Sequence, residues 1–294
     1  MHLSDPYTIP YKGIYAVADS NNEFVEIMEQ SNCYGGSAWA LYHYSKSPLV
    51  VKGRAVGDMM RYLVRTGISK LSLQSSVAAA GIESVIVNDN EIEITYSGLG
   101  GGGVGATTCR ANANGVLRYK ITESGGGKHA NGTIIVPRRE RVLVGIDNTD
   151  SKEVGATWTL AHNIASAADS IEHKYISHTL VQLYPVPDKT QNCVATVLEF
   201  ACIESAKKGL LDEIRKGLLE YSVSNETGMV AMTDFDAASL MEYSRLCRSR
   251  MITKDLTIRT AVENHVDICI HGKGIIGALA ALPWFSNNNE SVII

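Results

Sequence analysis

An unbroken apolar run, Val142 to Ile146, passes directly into Asp147-Asn148-Thr149-Asp150 and then into a helix-like segment from Thr157 to Ala168. Nothing else in the chain constrains the fold as much. A short apolar run that ends in turn residues reads as a buried strand, and the amphipathic stretch after it as a helix packed on that strand. The alternation continues with strand-like "HTLVQLYPV" and "NCVATVLEFAC", an amphipathic helix from Lys207 to Tyr221, and strand-like "GMVAMTD". A helix from Ala237 to Arg248, strand-like "VDICIH" and the apolar helix "IIGALAAL" complete it. The pattern predicts an α/β (mixed α+β) half with a mixed or parallel sheet.

The preceding residues read as a separate α+β half. Ala55 to Thr66 reads as a helix, with Met59, Met60, Tyr62, Leu63 and Val64 on its apolar side. "SVIVNDNEIEIT" reads as a hairpin turning at Asn88-Asp89-Asn90, and Val116 to Ile121 as a strand. Gly98 to Cys109 ("GLGGGGVGATTC") reads as a flexible loop. A second glycine-rich stretch, Gly125 to Gly132, places the boundary, which gives domains 1–132 and 133–294.

The 294 residues are 45% hydrophobic and 20% charged, enough apolar material for an ordinary core. The 27 Lys+Arg against 31 Asp+Glu leave a net charge of −4. Phosphate neutralisation supplies most nucleic-acid affinity, so this balance argues against nucleic acid as a partner. The basic groups Arg138 to Arg141 and Arg245 to Arg250 read as solvated surface. Six scattered cysteines without a C-x-x-C pair, and eight histidines with no two at helical spacing, give no zinc motif. The chain shows neither a leader pattern nor a membrane-length apolar run, so the expectation is a cytoplasmic protein with reduced thiols and no membrane partner. A homodimer is left open.

The chemistry gathers where strands feed helices. Asp147 and Asp150 suit Mg²⁺, with Asn148 as a neutral donor, because that ion takes one or two carboxylates plus phosphate oxygens and water. Gly155, Ala156 and Thr157 would present backbone N–H groups at a helix start, a phosphate cradle. The same residues also make an Asx turn and a helix cap, and local physics does not choose between the two. In "PVPDKTQN", Lys189 can pair with a phosphate and Thr190 or Asn192 can hydrogen-bond a ligand, or the stretch is a polar surface loop. Gly272, Gly274 and Gly277 spell G-x-G-x-x-G, but 17 residues remain after Gly277. That leaves no room for the second strand and acidic residue of a dinucleotide site, so NAD is rejected and a glycine turn into a buried helix expected. The Gly98 to Cys109 stretch lacks the Lys-Ser/Thr ending of a phosphate-binding loop.

Taken in order, "GIDNTDSKEVGATWTLA", "LVQLYPVPDKTQNCVATVLEF" and "GKGIIGALAAL" resemble the kinase-like and ferredoxin-like portions of the archaeal 2-agmatinylcytidine synthetases, which modify an isoleucine tRNA. The resemblance covers Val142 to Leu282 and implies ATP and Mg²⁺, with phosphoryl transfer activating an acceptor oxygen. Asp147, Thr149 and Asp150 match the family's G-I-D-D-T-D-S pattern, with Asn148 in place of its second aspartate. Thr157 falls on a threonine of the family's phosphate chemistry. Lys189, Thr190 and Asn192 match its polar loop, and Gly272 to Gly274 its glycine turn.

The resemblance therefore implies Asp147 and Asp150 as metal ligands, and Asp147, Asp150, Thr157 and Lys189 as the catalytic group. It implies nucleotide contacts from Asn148, Thr149, Ser151, Gly155, Ala156, Thr190, Asn192, Gly272, Lys273 and Gly274. With its N-terminal half, the whole arrangement resembles the methanogenesis marker protein 11 family of methanogenic archaea. The expectation is an ATP-dependent phosphotransferase or synthetase in methanogen-specific metabolism or modification, its acceptor a small molecule or a macromolecule. A non-catalytic nucleotide-binding assembly factor for a methanogenesis enzyme and a tRNA-modifying enzyme are the alternatives.

Overall fold

A computed structural model describes residues 1–187 and 189–293, so Asp188 of the polar loop and Ile294 lie outside the described residues. The chain forms two compact units, Met1–Arg139 and Glu140–Ile294. The division falls after Arg139 rather than after Gly132. The strand from His129 to Pro137 continues past the glycines and pairs along Glu91 to Leu99 within the first unit.

The first unit runs β1 (Gly13–Ala18), β2 (Phe24–Gln30), α1 (Tyr34–Tyr44), β3 (Val50–Val56), β4 (Met59–Arg65), β5 (Gly67–Ile68), β6 (Ala80–Asn88), β7 (Glu91–Leu99), α2 (Gly101–Ala106), α3 (Thr108–Ala111), β8 (Arg118–Ile121) and β9 (His129–Pro137). Two antiparallel sheets result, β1-β2-β4-β3 and β5-β6-β7-β9-β8. Their inward residues, among them Ile27, Tyr62, Ile82, Ile94 and Ile134, form one core.

The hairpin at Asn88 to Asn90 forms as expected, with Asp89 taking a left-handed φ of 42°. The helix expected from Ala55 to Thr66 is instead the β3–β4 hairpin, which turns at Gly57 with a φ of 60°. Met60, Tyr62 and Val64 are spaced by two and face the core, while Arg61 on the opposite face pairs with Glu26. Cross-strand partners and the Gly57-Asp58 turn outweigh helical spacing that was imperfect at best. The glycine-rich stretch expected as a flexible loop is α2 and α3. Gly98 lets that helical segment lie on β7, since a Cβ there would collide with the Gly102 carbonyl group.

Inside this unit Arg110 makes a two-pronged ion pair with Glu29, each contact 2.7 Å, and both side chains have no exposed surface. Arg110 also donates to the Tyr44 hydroxyl and the Gly105 carbonyl oxygen, and the rings of Tyr11, Tyr44 and Tyr96 flank it. Burial raises the Tyr44 hydroxyl to about 12, against the lowering effect of Arg110.

The second unit runs β10 (Glu140–Asp147), α4 (Thr157–Ala167), β11 (His173–Gln182), β12 (Val194–Cys202), α5 (Lys207–Tyr221), β13 (Gly228–Thr233), α6 (Met241–Ser249), α7 (Lys254–Glu263), β14 (Asp267–His271), α8 (Ile275–Ala281) and α9 (Asn288–Ser291). The sheet order is β11-β12-β10-β13-β14. Every pairing is antiparallel, which corrects the mixed or parallel sheet expected from the alternation. The helical crossovers do join parallel strands, β10 to β11 and β12 to β13. Another strand lies between the members of each pair and runs the opposite way, the split β-α-β arrangement of ferredoxin-like folds. The fold is thus mixed α/β in both units.

β10 sits at the centre with both faces buried, which explains its continuous apolar sequence. Val142, Val144 and Ile146 join a core with Ile164 of α4 and Ile214 of α5, while Leu143 joins another with Tyr243 and Leu279. Among the described residues no helix is long and apolar enough to cross a membrane.

Candidate functional site

Asp147 is the last residue of β10, and the chain must leave the sheet sharply there. Asn148 takes a left-handed φ of 61°, a conformation asparagine tolerates better than most residues. The loop then folds back on the start of α4. Both the backbone N–H and the hydroxyl of Thr149 donate to the Thr157 hydroxyl oxygen, at 3.1 and 3.2 Å. Ser151 Oγ accepts the N–H groups of Glu153 and Val154, and Gly155 takes a φ of 91°.

Two further segments converge on this loop. Thr190 donates to Asp150 Oδ1 at 2.9 Å, and Gln191 donates to the carbonyl oxygens of Ser151 and Gly155. The turn between β14 and α8 is pinned by Glu226, whose carboxylate accepts the Lys273 N–H at 2.8 Å and whose carbonyl accepts that of Gly274 at 2.9 Å.

Together the three segments border a cleft of about 480 Å³. Asp147, Asn148, Asp150, Ala156, Thr157, Lys189, Thr190, Asn192, Lys273 and Gly274 all line it. Thr149, Ser151, Gly155 and Gly272 do not line it and instead hold the turns in shape. Sequence reasoning missed Glu226, Gln191, Trp158 and Tyr184. It also missed the segment Arg250 to Lys254, which adds Met251 and Ile252 to the apolar wall with Leu183 and Val186. A threonine ahead of a helical segment was the available signal for that last piece. Thr253 accepts the Leu256 N–H as the N-cap of α7, a helix the alternation did not reveal.

Charge is divided across the cleft. Lys189, Arg250, Lys254 and Lys273 border it together with Asp147 and Asp150. Burial pushes the Asp147 carboxyl up to about 7, opposed by its hydrogen bond from the Asn148 N–H and assisted by the charge of Asp150. Asp147 Oδ1 accepts that N–H at 2.8 Å, and among the described residues no cationic side chain pairs with either carboxylate. Such an uncompensated pair fits a hard divalent ion held by one or two carboxylates. Among the described residues no group of three or more His, Cys, Asp or Glu could form an all-protein cage.

Gly277 carries the α8 backbone beneath Asp147. A Cβ at that position would overlap Asp147 Oδ2 and stand 2.8 Å from Leu183 Cδ1. Gly277→Ala is therefore expected to cost about 1–3 kcal/mol through overpacking, read as a lower urea midpoint. An unchanged midpoint would show that the carboxylate moves aside freely.

Residues 143–215 match the family model of the TiaS TCKD domain. Among solved structures the chain is similar to a complex of TiaS with an isoleucine tRNA and ATP, at 24% identity and a TM-score of 0.44, covering 49% of this chain and 36% of that one. It is also similar to a tRNA fluorescent labeling enzyme, at 26% identity and a TM-score of 0.44, covering 48% and 35%. The chain thus spans about a third of the solved structures it matches. The match to a TiaS domain corrects the expectation that nucleic acid is an unlikely partner. Net charge was the wrong measure, because phosphate contacts require local cationic groups rather than a basic whole. The uncharacterized protein MJ0921 of Methanocaldococcus jannaschii is 40% identical over 282 residues, 94% of each chain, and this chain belongs to the same family.

Proposed function

We propose that the second unit uses ATP to activate an oxygen of a tRNA by phosphoryl transfer, preparing it for attack by a second substrate. Membership of the methanogenesis marker protein 11 family, and with it a methanogen-specific modification, is part of this reading. The observation that carries it is the Asp147 carboxylate, raised toward 7 at a strand end, without a cation, beside Asp150. The TiaS TCKD match over the same residues supports nucleotide chemistry there.

In this reading Asp147 and Asp150 hold Mg²⁺, with Asn148 as a neutral donor. Mg²⁺ supplies charge neutralisation on phosphate oxygens when bound. The Thr157 hydroxyl oxygen already accepts from Thr149, so its own hydrogen is available to a phosphate oxygen, next to the free N–H groups of the α4 start. Lys189 offsets negative charge that develops during transfer. Thr190 keeps Asp150 in place, Asn192 offers an amide, and the Gly272-Lys273-Gly274 turn presents backbone close to the ligand. The apolar wall of Leu183, Tyr184, Val186, Met251 and Ile252 suits the base of the nucleotide.

The test is ATP consumption by the full chain with Mg²⁺ and bulk archaeal tRNA. Turnover is expected to depend on tRNA and to fall at least about a hundredfold in Thr157→Ala and in Lys189→Ala. Turnover that ignores tRNA would remove the acceptor assignment. Turnover that survives Asp147→Ala combined with Asp150→Ala would remove the site itself.

A further inference from the structure

The first unit contains a second cavity, of about 840 Å³, that the proposed ATP chemistry does not use. Its size lies within the range of small-molecule sites. The segment from Asp5 to Tyr11 walls one side and is tied to α3 by the Thr8–Thr108 hydroxyl contact at 2.9 Å and by the Tyr11 N–H on the Cys109 carbonyl. Trp39, Tyr11, Tyr44 and Val104 supply much of the remaining lining, which is mainly apolar.

Two features of this cavity are unexplained by the protein's own packing. Gly101 and Gly105 both line it and lie one turn apart on α2. A Cβ on Gly101 would meet nothing within 4 Å, and one on Gly105 would reach only Arg110 Nη1 at an ordinary 3.8 Å. Neither has a positive φ. Glycine weakens a helix relative to alanine, so two glycines that neither sterics nor backbone require leave a flat wall with room against it. The second feature is Ser31, 5% exposed and in the lining. Its oxygen accepts the Cys33 N–H at 3.1 Å, and its hydroxyl hydrogen has no acceptor among the described residues.

The charges at the cavity are already matched. Arg110 is neutralised by Glu29 and also donates to Tyr44 and the Gly105 carbonyl, Lys128 pairs with Glu123, and Asp5 is exposed at the rim. A charged ligand would therefore find no buried counter-ion. We propose that this cavity binds an uncharged, flat heteroaromatic molecule, laid on the Gly101–Gly105 wall beside Trp39, with a ring nitrogen or carbonyl accepting from Ser31. A flat ring system uses a wall without side chains, and an in-plane acceptor satisfies the buried Ser31 hydroxyl.

Lumiflavin, a neutral three-ring heteroaromatic, is the probe, and adamantanol, compact and similarly uncharged, is the control. Calorimetric titration of the full chain is expected to show lumiflavin binding and at least about tenfold weaker adamantanol binding. Gly101→Leu fills the cavity from a position with open space, so its Tm is expected to hold or rise while lumiflavin binding is lost. Ser31→Ala is expected to weaken lumiflavin about tenfold without altering the fold. Lumiflavin failing to bind at about 1 mM, binding no better than adamantanol, or binding unchanged in a folded Gly101→Leu chain would each overturn the proposal.

Discussion

Asp147→Asn should make the protein more stable at about pH 8 and, in the reading proposed for the second unit, inactive. Its carboxyl is raised from an ordinary 3.8 to about 7, so the folded state holds that proton more tightly than the unfolded state does. The folded chain is then favoured at low pH, and stability falls as pH rises through the interval between the two values. Above about 7 the full penalty of an ionised, poorly solvated carboxylate is present. An asparagine keeps an oxygen for the Asn148 N–H and removes the charge. The expected gain is about 2–4 kcal/mol near pH 8 and close to nothing near pH 4, measured by urea denaturation at both pH values. Equal shifts at both would mean that the carboxylate carries no such strain. The residue that costs stability is also the one assigned to the metal, so a matching loss of tRNA-dependent ATP consumption is expected in the same variant.

Glu29→Ala should be the most damaging single change in the first unit. It removes the partner of a guanidinium that has no exposed surface and leaves a charge among the Tyr11, Tyr44 and Tyr96 rings. Breaking a buried pair in this way costs about 3–5 kcal/mol, a large share of an ordinary domain's stability. The paired change Glu29→Met with Arg110→Met is expected to recover much of that loss, because it leaves no uncompensated charge. Chemical denaturation followed by near-ultraviolet circular dichroism would report both. If Glu29→Ala unfolds no more easily than the native chain, the pair is not what holds the unit's interior.

The second unit was largely legible from sequence because its elements are regular and apolar. The run Val142 to Ile146, the spacing of Leu210, Ile214 and Leu218 on α5, and the glycines before α8 each announce one structure. Strand direction was not legible, because alternating strands and helices are equally compatible with a parallel sheet and with an inserted antiparallel strand. In the first unit, Met59 to Val64 misled because an apolar run in two-residue register also places residues three and four apart.

The candidate site was legible where short polar residues follow a strand end, as at Asp147 and Asp150. It was not legible at Glu226, Gln191 or Arg250, since isolated surface-type residues reveal their partners only after distant segments meet. Nor did Trp39, Gly101 and Ser31 signal a shared cavity. They come from three separated stretches, and each alone has an ordinary explanation.

The position of β10 bears on motion as well as on chemistry. Its amides and carbonyls pair with β12 on one side and β13 on the other, and helices cover both faces. Backbone so placed opens only with the whole unit, and its amides should be among the slowest to exchange with deuterium. Asp147 therefore rides on the element least able to shift. Lys189, across the cleft, is exposed on a loop outside any helix or strand. The carboxylate end of the cleft therefore keeps its register, and any accommodation to ligands of different size would fall to exposed side chains such as Lys189 rather than to the sheet.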